Sequence, residues 1–196
     1  MEGVRSPSLL RSTKYMLKKI FIPGWMDTAD NHVDFAGLEI WKKKINVHDK
    51  IETEYVIGHS LGANFALINW GKNKNTKLIL FNPLLPKRNI FHWATRWAGA
   101  VHYEGSPLNK KRLATFLHPI ISISQCLRLL SVDLTRVIDS VPKENLILVL
   151  GKRDKFYYDK KIIDTLKSKN IKIIEVEEAG HNWNEKFNEI IEELTK

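Results

Sequence analysis

The sequence predicts an α/β domain of three layers, with a mostly parallel central sheet and helices on both of its faces. Three observations lead there. Five short runs are apolar almost throughout and lack the polar alternation of a half-exposed sheet, which is the pattern of strands covered on both faces. Helical patterns separate several of these runs, as connections between parallel strands require. The residues with chemical potential fall at the carboxyl ends of the runs, where open parallel sheets place their sites.

The first run, "KKIFIPGW" (18–25), reads as a buried strand closed by Pro-Gly. Residues 33–45 are ambiguous, and "LEIWKKKI" fits a short strand or a helix. "EYVIGHS" (54–60) is the second strand. "LGANFALINW" (61–70) is a helix with Leu61, Phe65 and Ile68 on one face and Gly71 as its stop signal. "TKLILFNP" (76–83) is the third strand, ended by Pro83. The fourth and fifth strands are "NLILVLG" (145–151) and "IKIIEVEE" (171–178). Helices follow them at 157–170 and 184–196.

Residues 87–142 carry helical patterns and no convincing strand. Ile90, Trp93, Trp97 and Val101 recur at helical spacing. Pro119 opens another helix, whose inner face is expected to hold Ile120, Ile123, Leu127 and Leu130. The expected organisation is a flexible extension over 1–17 and one domain over 18–196. Residues 87–142 would form a helical insertion over one end of the sheet.

Composition bounds the function classes. Hydrophobic residues make up 43% and charged residues 27%, a globular balance. No apolar run approaches the roughly 20 residues that span a bilayer. "LATFLHPIISIS" (113–124) is too short and holds His118 and Pro119, so no stable membrane insertion is expected. The N-terminal "MEGVRSPSLLRSTKYM" lacks the apolar centre of a secretory signal. A disordered extension, or a true start at Met16, is expected ahead of a transit peptide. Cys126 is the only cysteine, which fits a reducing, cytoplasmic location.

The formal net charge is +9. Residues 1–112 hold 18 Lys plus Arg against 9 Asp plus Glu, whereas 113–196 hold 13 of each, so the excess lies in the first part of the chain. Such a surface can attract nucleic acid, anionic lipid or acidic substrates. The lysines are scattered, however, and no nucleic-acid-binding motif accompanies them. A solvated surface is expected, with no nucleic-acid partner. No HExxH, CxxC, EF-hand loop, GxGxxG or phosphate loop occurs, so neither a metal nor a cofactor is expected.

"GHSLG" (58–62) fits G-x-S-x-G. A serine on a strained strand-to-helix turn needs small neighbours, because side chains there would strike nearby backbone. Ser60 would be lifted from the sheet, and the N–H of Leu61 would point at a reacting carbonyl. The same pattern also fits a plain tight turn. A serine hydroxyl needs a base, and His181 in "EEAGHNWNE" lies on a loop that can reach back over the sheet. His181 could equally cap the last helix. His32, His48, His59, His92, His102 and His118 compete with it, although His59, inside the turn, points the wrong way. Asp154 in "LVLGKRDKF" could hold the imidazole tautomer, or cap the next helix. Asp133 and Asp139 are alternative carboxylates. In "FIPGWMD", Gly24 permits a tight turn that places the N–H of Trp25 as a second donor to an oxyanion, or packs its ring on the core.

Taken together, "PGW", "GHSLG", "GKRD" and "GHNW" resemble the α/β-hydrolase superfamily of serine hydrolases, from about Lys18 to the end of the chain. "PGW" resembles its oxyanion loop, with Pro23 where histidine is usual. The order Ser60, Asp154, His181 is that of the superfamily. The resemblance implies Ser60 as nucleophile, His181 as base, Asp154 as its orienting acid, and Trp25 and Leu61 as oxyanion donors. It implies hydrolysis of a small carboxylic ester through an acyl-enzyme, with a thioester or amide as alternative. A hydrolase-fold binding protein without turnover is the competing class. The chain is too short before "PGW", and between Trp25 and Ser60, for the full sheet, so a trimmed sheet of five or six strands is expected. The insertion resembles a helical cap. Trp93, Trp97, Tyr103 and Phe116 would line an apolar slot for an acyl chain, or form the cap's own core. The sequence assigns no oligomeric state.

Overall fold

The computed structural model describes residues 17–25, 27–41, 53–87, 89–104, 119–154 and 158–196. The expected extension therefore lies almost wholly outside the described residues, as do Phe116, His48 and His118. Five strands, β1 (Leu17–Ile22), β2 (Thr53–His59), β3 (Lys77–Phe81), β4 (Leu146–Gly151) and β5 (Lys172–Val176), form one sheet in sequence order. Every pairing is parallel. Among the described residues the α-helices are α1 (Leu61–Trp70), α2 (Ile90–Glu104), α3 (Pro119–Leu130), α4 (Leu134–Val137), α5 (Lys160–Ser168) and α6 (Glu185–Leu194).

Sequential strand order has a consequence. Parallel crossovers are right-handed, so connections that step one way put their helices on one face. That face joins Ile22, Val56, Leu80 and Leu148 of the sheet to Leu61 of α1, Leu130 of α3, Leu134 of α4 and Ile163 of α5. Among the described α-helices, α6, after the last strand, returns to the other face. There Phe187 and Ile191 pack with Phe21, Ile57, Phe81 and Val149. Successive strand residues point to opposite faces, and both faces are dry. This is why the strands read as unbroken apolar runs.

The segment over 33–41 settles as an edge piece. Phe21 N–H donates to Ala36 O (2.9 Å), and Leu38 N–H donates to Phe21 O (2.8 Å). Phe21 of β1 and Gly37 form an isolated parallel bridge. Beyond it Trp41 is buried and its Nε1 donates to Pro23 O at 3.0 Å, drawing the chain off the sheet and under the first loop. Residues 42–45 lie outside the described residues.

The expected inner face of α3 is corrected. Leu130 is buried, but Ile120, Ile123 and Leu127 are 83%, 52% and 44% exposed. Ser122, Cys126 and Leu129 face inward instead. The physical reason is the indole of Trp25, whose Nε1 donates to Ser122 Oγ at 3.0 Å. A part-buried indole N–H needs an acceptor, and in this rotation Ser122 of α3 supplies it. Burial pushes the Cys126 thiol up to about 12, so it is inert at neutral pH. Among the described residues no helix is long and apolar enough to cross a membrane.

Candidate active site

The register brings the strand ends level. Gly58 of β2 pairs with Ile22 of β1 and Leu80 of β3, so the loops after all three emerge side by side. Ser60 is the one residue between β2 and α1, with φ 53° and ψ −123°. A non-glycine residue there stores about 1–3 kcal/mol of strain. The surroundings hold it in place. Its N–H donates to Phe81 O at 2.9 Å, and its carbonyl accepts from Ala63 N–H at 3.0 Å. Both flanking glycines answer to close approach. A Cβ on Gly58 would lie 2.6 Å from Ala63 Cα, and one on Gly62 would lie 2.2 Å from Ile22 O.

Three side chains from three strand ends meet at this turn. His181 Nε2 lies 3.0 Å from Ser60 Oγ, and His181 Nδ1 lies 2.7 Å from Asp154 Oδ2. All three residues are buried, with Asp154 the deepest. If His181 Nδ1 carries a proton toward Asp154, Nε2 is left as an acceptor facing the serine hydroxyl. The other roles foreseen for these residues fall elsewhere. The side chain of Asp159 caps α5 by accepting from Ile162 N–H at 3.2 Å, and Asn184 stands at the N-cap of α6.

The competing residues described, His59 apart, are engaged with other partners or exposed. His32 Nε2 lies 2.5 Å from Asp27 Oδ2 in the loop after β1. His92 and His102 are exposed on α2. Asp133 caps α4 by accepting from Thr135 N–H at 3.2 Å, and Asp139 pairs with Lys169 at 2.6 Å.

The loop carrying Trp25 lies against the turn. A Cβ on Gly24 would stand 3.3 Å from Ser60 Cβ. The Trp25 ring is engaged by α2, edge-on to Trp93 with centroids 4.9 Å apart. Leu61 is the first residue of α1, so its N–H precedes the helical ladder and lies at the positive end of the helix. Of the residues expected to line a slot, Trp93 is packed away in the core cluster. Trp97 and Tyr103 lie on α2, but their side chains are outside the described residues. A cleft of about 330 Å³, open solvent included, lies instead beside Asp154, lined by Asn82, Pro83, Leu85, Tyr158 and Ile162 among others. Among the described residues no group of His, Cys, Asp and Glu could hold a metal ion.

Two residues to which sequence reasoning gave no part in the site, His59 set aside as pointing the wrong way and Asn82 not considered, hold the His181 loop from the sheet side. His59 Nε2 donates to His181 O at 2.8 Å. Asn82 Nδ2 donates to Gly180 O at 2.8 Å and to His181 O at 3.1 Å, while its Oδ1 accepts from Gly151 N–H at 2.8 Å. Asn82 has φ 45°, a conformation asparagine tolerates better than most residues. The "NP" that ends the third strand was the available signal.

No protein-family model matches the sequence, and no curated protein matches it. Solved structures do. The chain is similar to the N-formylmaleamic acid deformylase of Pseudomonas putida S16, with TM-score 0.59 and 14% identity over 90% of this chain and 91% of that one. It is similar to a carboxylesterase structure from the thaumarchaeon Nitrososphaera gargenis, with TM-score 0.54 and 12% identity over 94% of this chain and 91% of that one. A thioesterase domain from the curacin biosynthetic pathway follows, with TM-score 0.53 and 14% identity over 94% and 92%. Together with the five-stranded parallel sheet and the strained serine turn, these likenesses identify the architecture: this chain has the α/β-hydrolase fold.

Proposed function

We propose that this protein is a serine hydrolase that cleaves small carboxylic esters through an acyl-enzyme intermediate. The observation that carries the reading is the unbroken chain from Ser60 Oγ through His181 to Asp154, with contacts of 3.0 and 2.7 Å, anchored on a strained turn.

Ser60 Oγ attacks the ester carbonyl while its proton passes to His181 Nε2. Asp154 holds the other ring nitrogen and stabilises the imidazolium that forms. The tetrahedral oxyanion lies between the N–H groups of Leu61 and Trp25, each such donor contributing about 2.7–4 kcal/mol to the barrier reduction. His181 then gives its proton to the leaving alcohol, and the carbonyl re-forms as the acyl-enzyme. Water enters, loses a proton to His181 and attacks the acyl carbon. Collapse releases the carboxylic acid and returns the proton to Ser60. A thioester or amide passes through the same steps, and the fold does not choose among them.

A fluorophosphonate probe tests the reading. The wild-type protein should be labelled, and Ser60→Ala should not. No labelling of the wild type, or equal labelling of Ser60→Ala, would overturn it. A panel of p-nitrophenyl esters of increasing chain length then reports turnover and the acyl length accepted.

A further inference from the structure

Glu104 is the last residue of α2. Its Oε1 accepts from His181 N–H at 2.9 Å, and its Oε2 accepts from Asn182 N–H at 2.8 Å. One carboxylate thus binds two consecutive amides of the loop that presents His181. Such charge-assisted bonds are roughly twice as strong as neutral ones.

Two further facts set this contact apart from chance packing. A carboxylate at the carboxyl end of a helix opposes the helix dipole, so the stability of α2 does not explain its place. Glu104 is also the only acidic residue between Glu54 and Asp133. Across the contact, a Cβ on Gly180 would lie 2.7 Å from the Glu104 carboxylate, so a side chain at residue 180 would displace that carboxylate from its present place.

The backbone of His181 is consequently held on both sides of its Cα. Its carbonyl is held from the sheet by His59 and Asn82, and its N–H is held from the insertion by Glu104. We infer that Glu104 is a positioning residue, through which α2 fixes the backbone of His181 and so the distance from its imidazole to Ser60. The insertion is then a working part of the site, and a displacement of the α2 terminus would release His181 at its N–H. The inference rests on the serine-hydrolase reading for its catalytic consequence, but not for the contact itself.

The test uses the full chain and the variants Glu104→Ala, Glu104→Gln and Gly180→Ala. In p-nitrophenyl ester turnover, Glu104→Ala should lower kcat by about ten- to a hundred-fold, the scale of an ångström-sized misplacement, and leave KM within about threefold. Glu104→Gln keeps one acceptor and should recover part of the loss. Gly180→Ala should reproduce it by pushing an intact carboxylate away, and serves if Glu104→Ala does not fold. Amide hydrogen exchange at His181 and Asn182 should quicken in Glu104→Ala and stay unchanged through α6. A folded Glu104→Ala with kcat within twofold of wild type overturns the inference, as do unchanged exchange rates at both amides. A loss of kcat matched by lost secondary structure in every variant also overturns it, assigning Glu104 to folding. If the wild type fails to react with the fluorophosphonate, the hydrolase reading falls, while the exchange rates still decide whether Glu104 holds the loop.

Discussion

The imidazole of His59 donates from Nε2 to the carbonyl of His181, 2.8 Å away, so the residue preceding Ser60 braces the residue that faces it. A carbonyl only accepts, which fixes the proton of His59 on Nε2. Its Nδ1 is buried and finds no partner among the described residues. Protonating that nitrogen would place a charge where nothing can solvate it. Burial, then the nearby charge of His181, lowers the His59 pKa from 6.5 to about 3.

The pH dependence follows from the sign of that shift. Below pH 6.5 the unfolded chain takes up a proton that the folded chain refuses. The contribution of His59 to stability is therefore complete above pH 6.5 and is lost as pH falls toward about 3. The slope approaches roughly 1.4 kcal/mol per pH unit. Urea unfolding at pH 7 and pH 5, above the titration of ordinary carboxylates, should show this loss. His59→Gln keeps a donor for the His181 carbonyl without a titrating ring, and should be distinctly less acid-sensitive. An identical pH dependence in the two proteins would count against the buried neutral imidazole.

Asn82 makes three hydrogen bonds from one side chain while holding φ 45°. Asn82→Ala would leave Gly151 N–H without its acceptor and put a residue less tolerant than asparagine in the left-handed region. Each lost partner costs about 1–3 kcal/mol and the conformation about 1–2 kcal/mol. Asn82→Gly loses the same bonds but carries no left-handed penalty, and should be the more stable of the two in urea unfolding. Ester turnover should fall in both, because both free the His181 carbonyl from one of its donors. Equal stability of the pair would show that the backbone is not strained.

Ser60 makes a cleaner test of strain, because removing its hydroxyl ends the proposed chemistry in either variant. At φ 53° and ψ −123° glycine is at ease and alanine is not. Ser60→Gly should exceed Ser60→Ala in stability by about 1–3 kcal/mol by denaturant midpoint. Ser60→Ala as the more stable variant would remove the case for a strained turn.

The sequence announced the parallel sheet because both of its faces are dry, so Ile20, Phe21 and Ile22 all needed to be apolar whichever way they point. It announced Ser60, Asp154 and His181 because each stands just past a strand whose carboxyl end is marked. The clamp around His181 was less legible. His59, Asn82 and Glu104 act across 122, 99 and 77 residues of chain, and no local pattern encodes such a distance. The face of α3 was misread for another reason. "IISISQCLRLL" carries apolar residues on more than one side, so periodicity alone left its rotation open. A single polar contact, Trp25 to Ser122, chose between them.

That rotation has a measurable outcome. Ile120→Lys and Ile123→Lys place charges on a surface 83% and 52% exposed, and each should change stability by no more than about 0.5 kcal/mol. Leu129→Ala empties a buried site and should cost about 2–5 kcal/mol. Ser122→Ala should cost about 1–3 kcal/mol, because it deprives the Trp25 indole of its acceptor. Trp25 lies in the loop packed against Ser60, so this variant should also slow fluorophosphonate labelling, which Ile120→Lys should leave unchanged. The opposite ranking, with the isoleucines costly and Leu129 and Ser122 neutral, would restore the helix face that periodicity suggested. It would also detach α3 from the loop beside Ser60, since the two are joined through the indole that Ser122 receives.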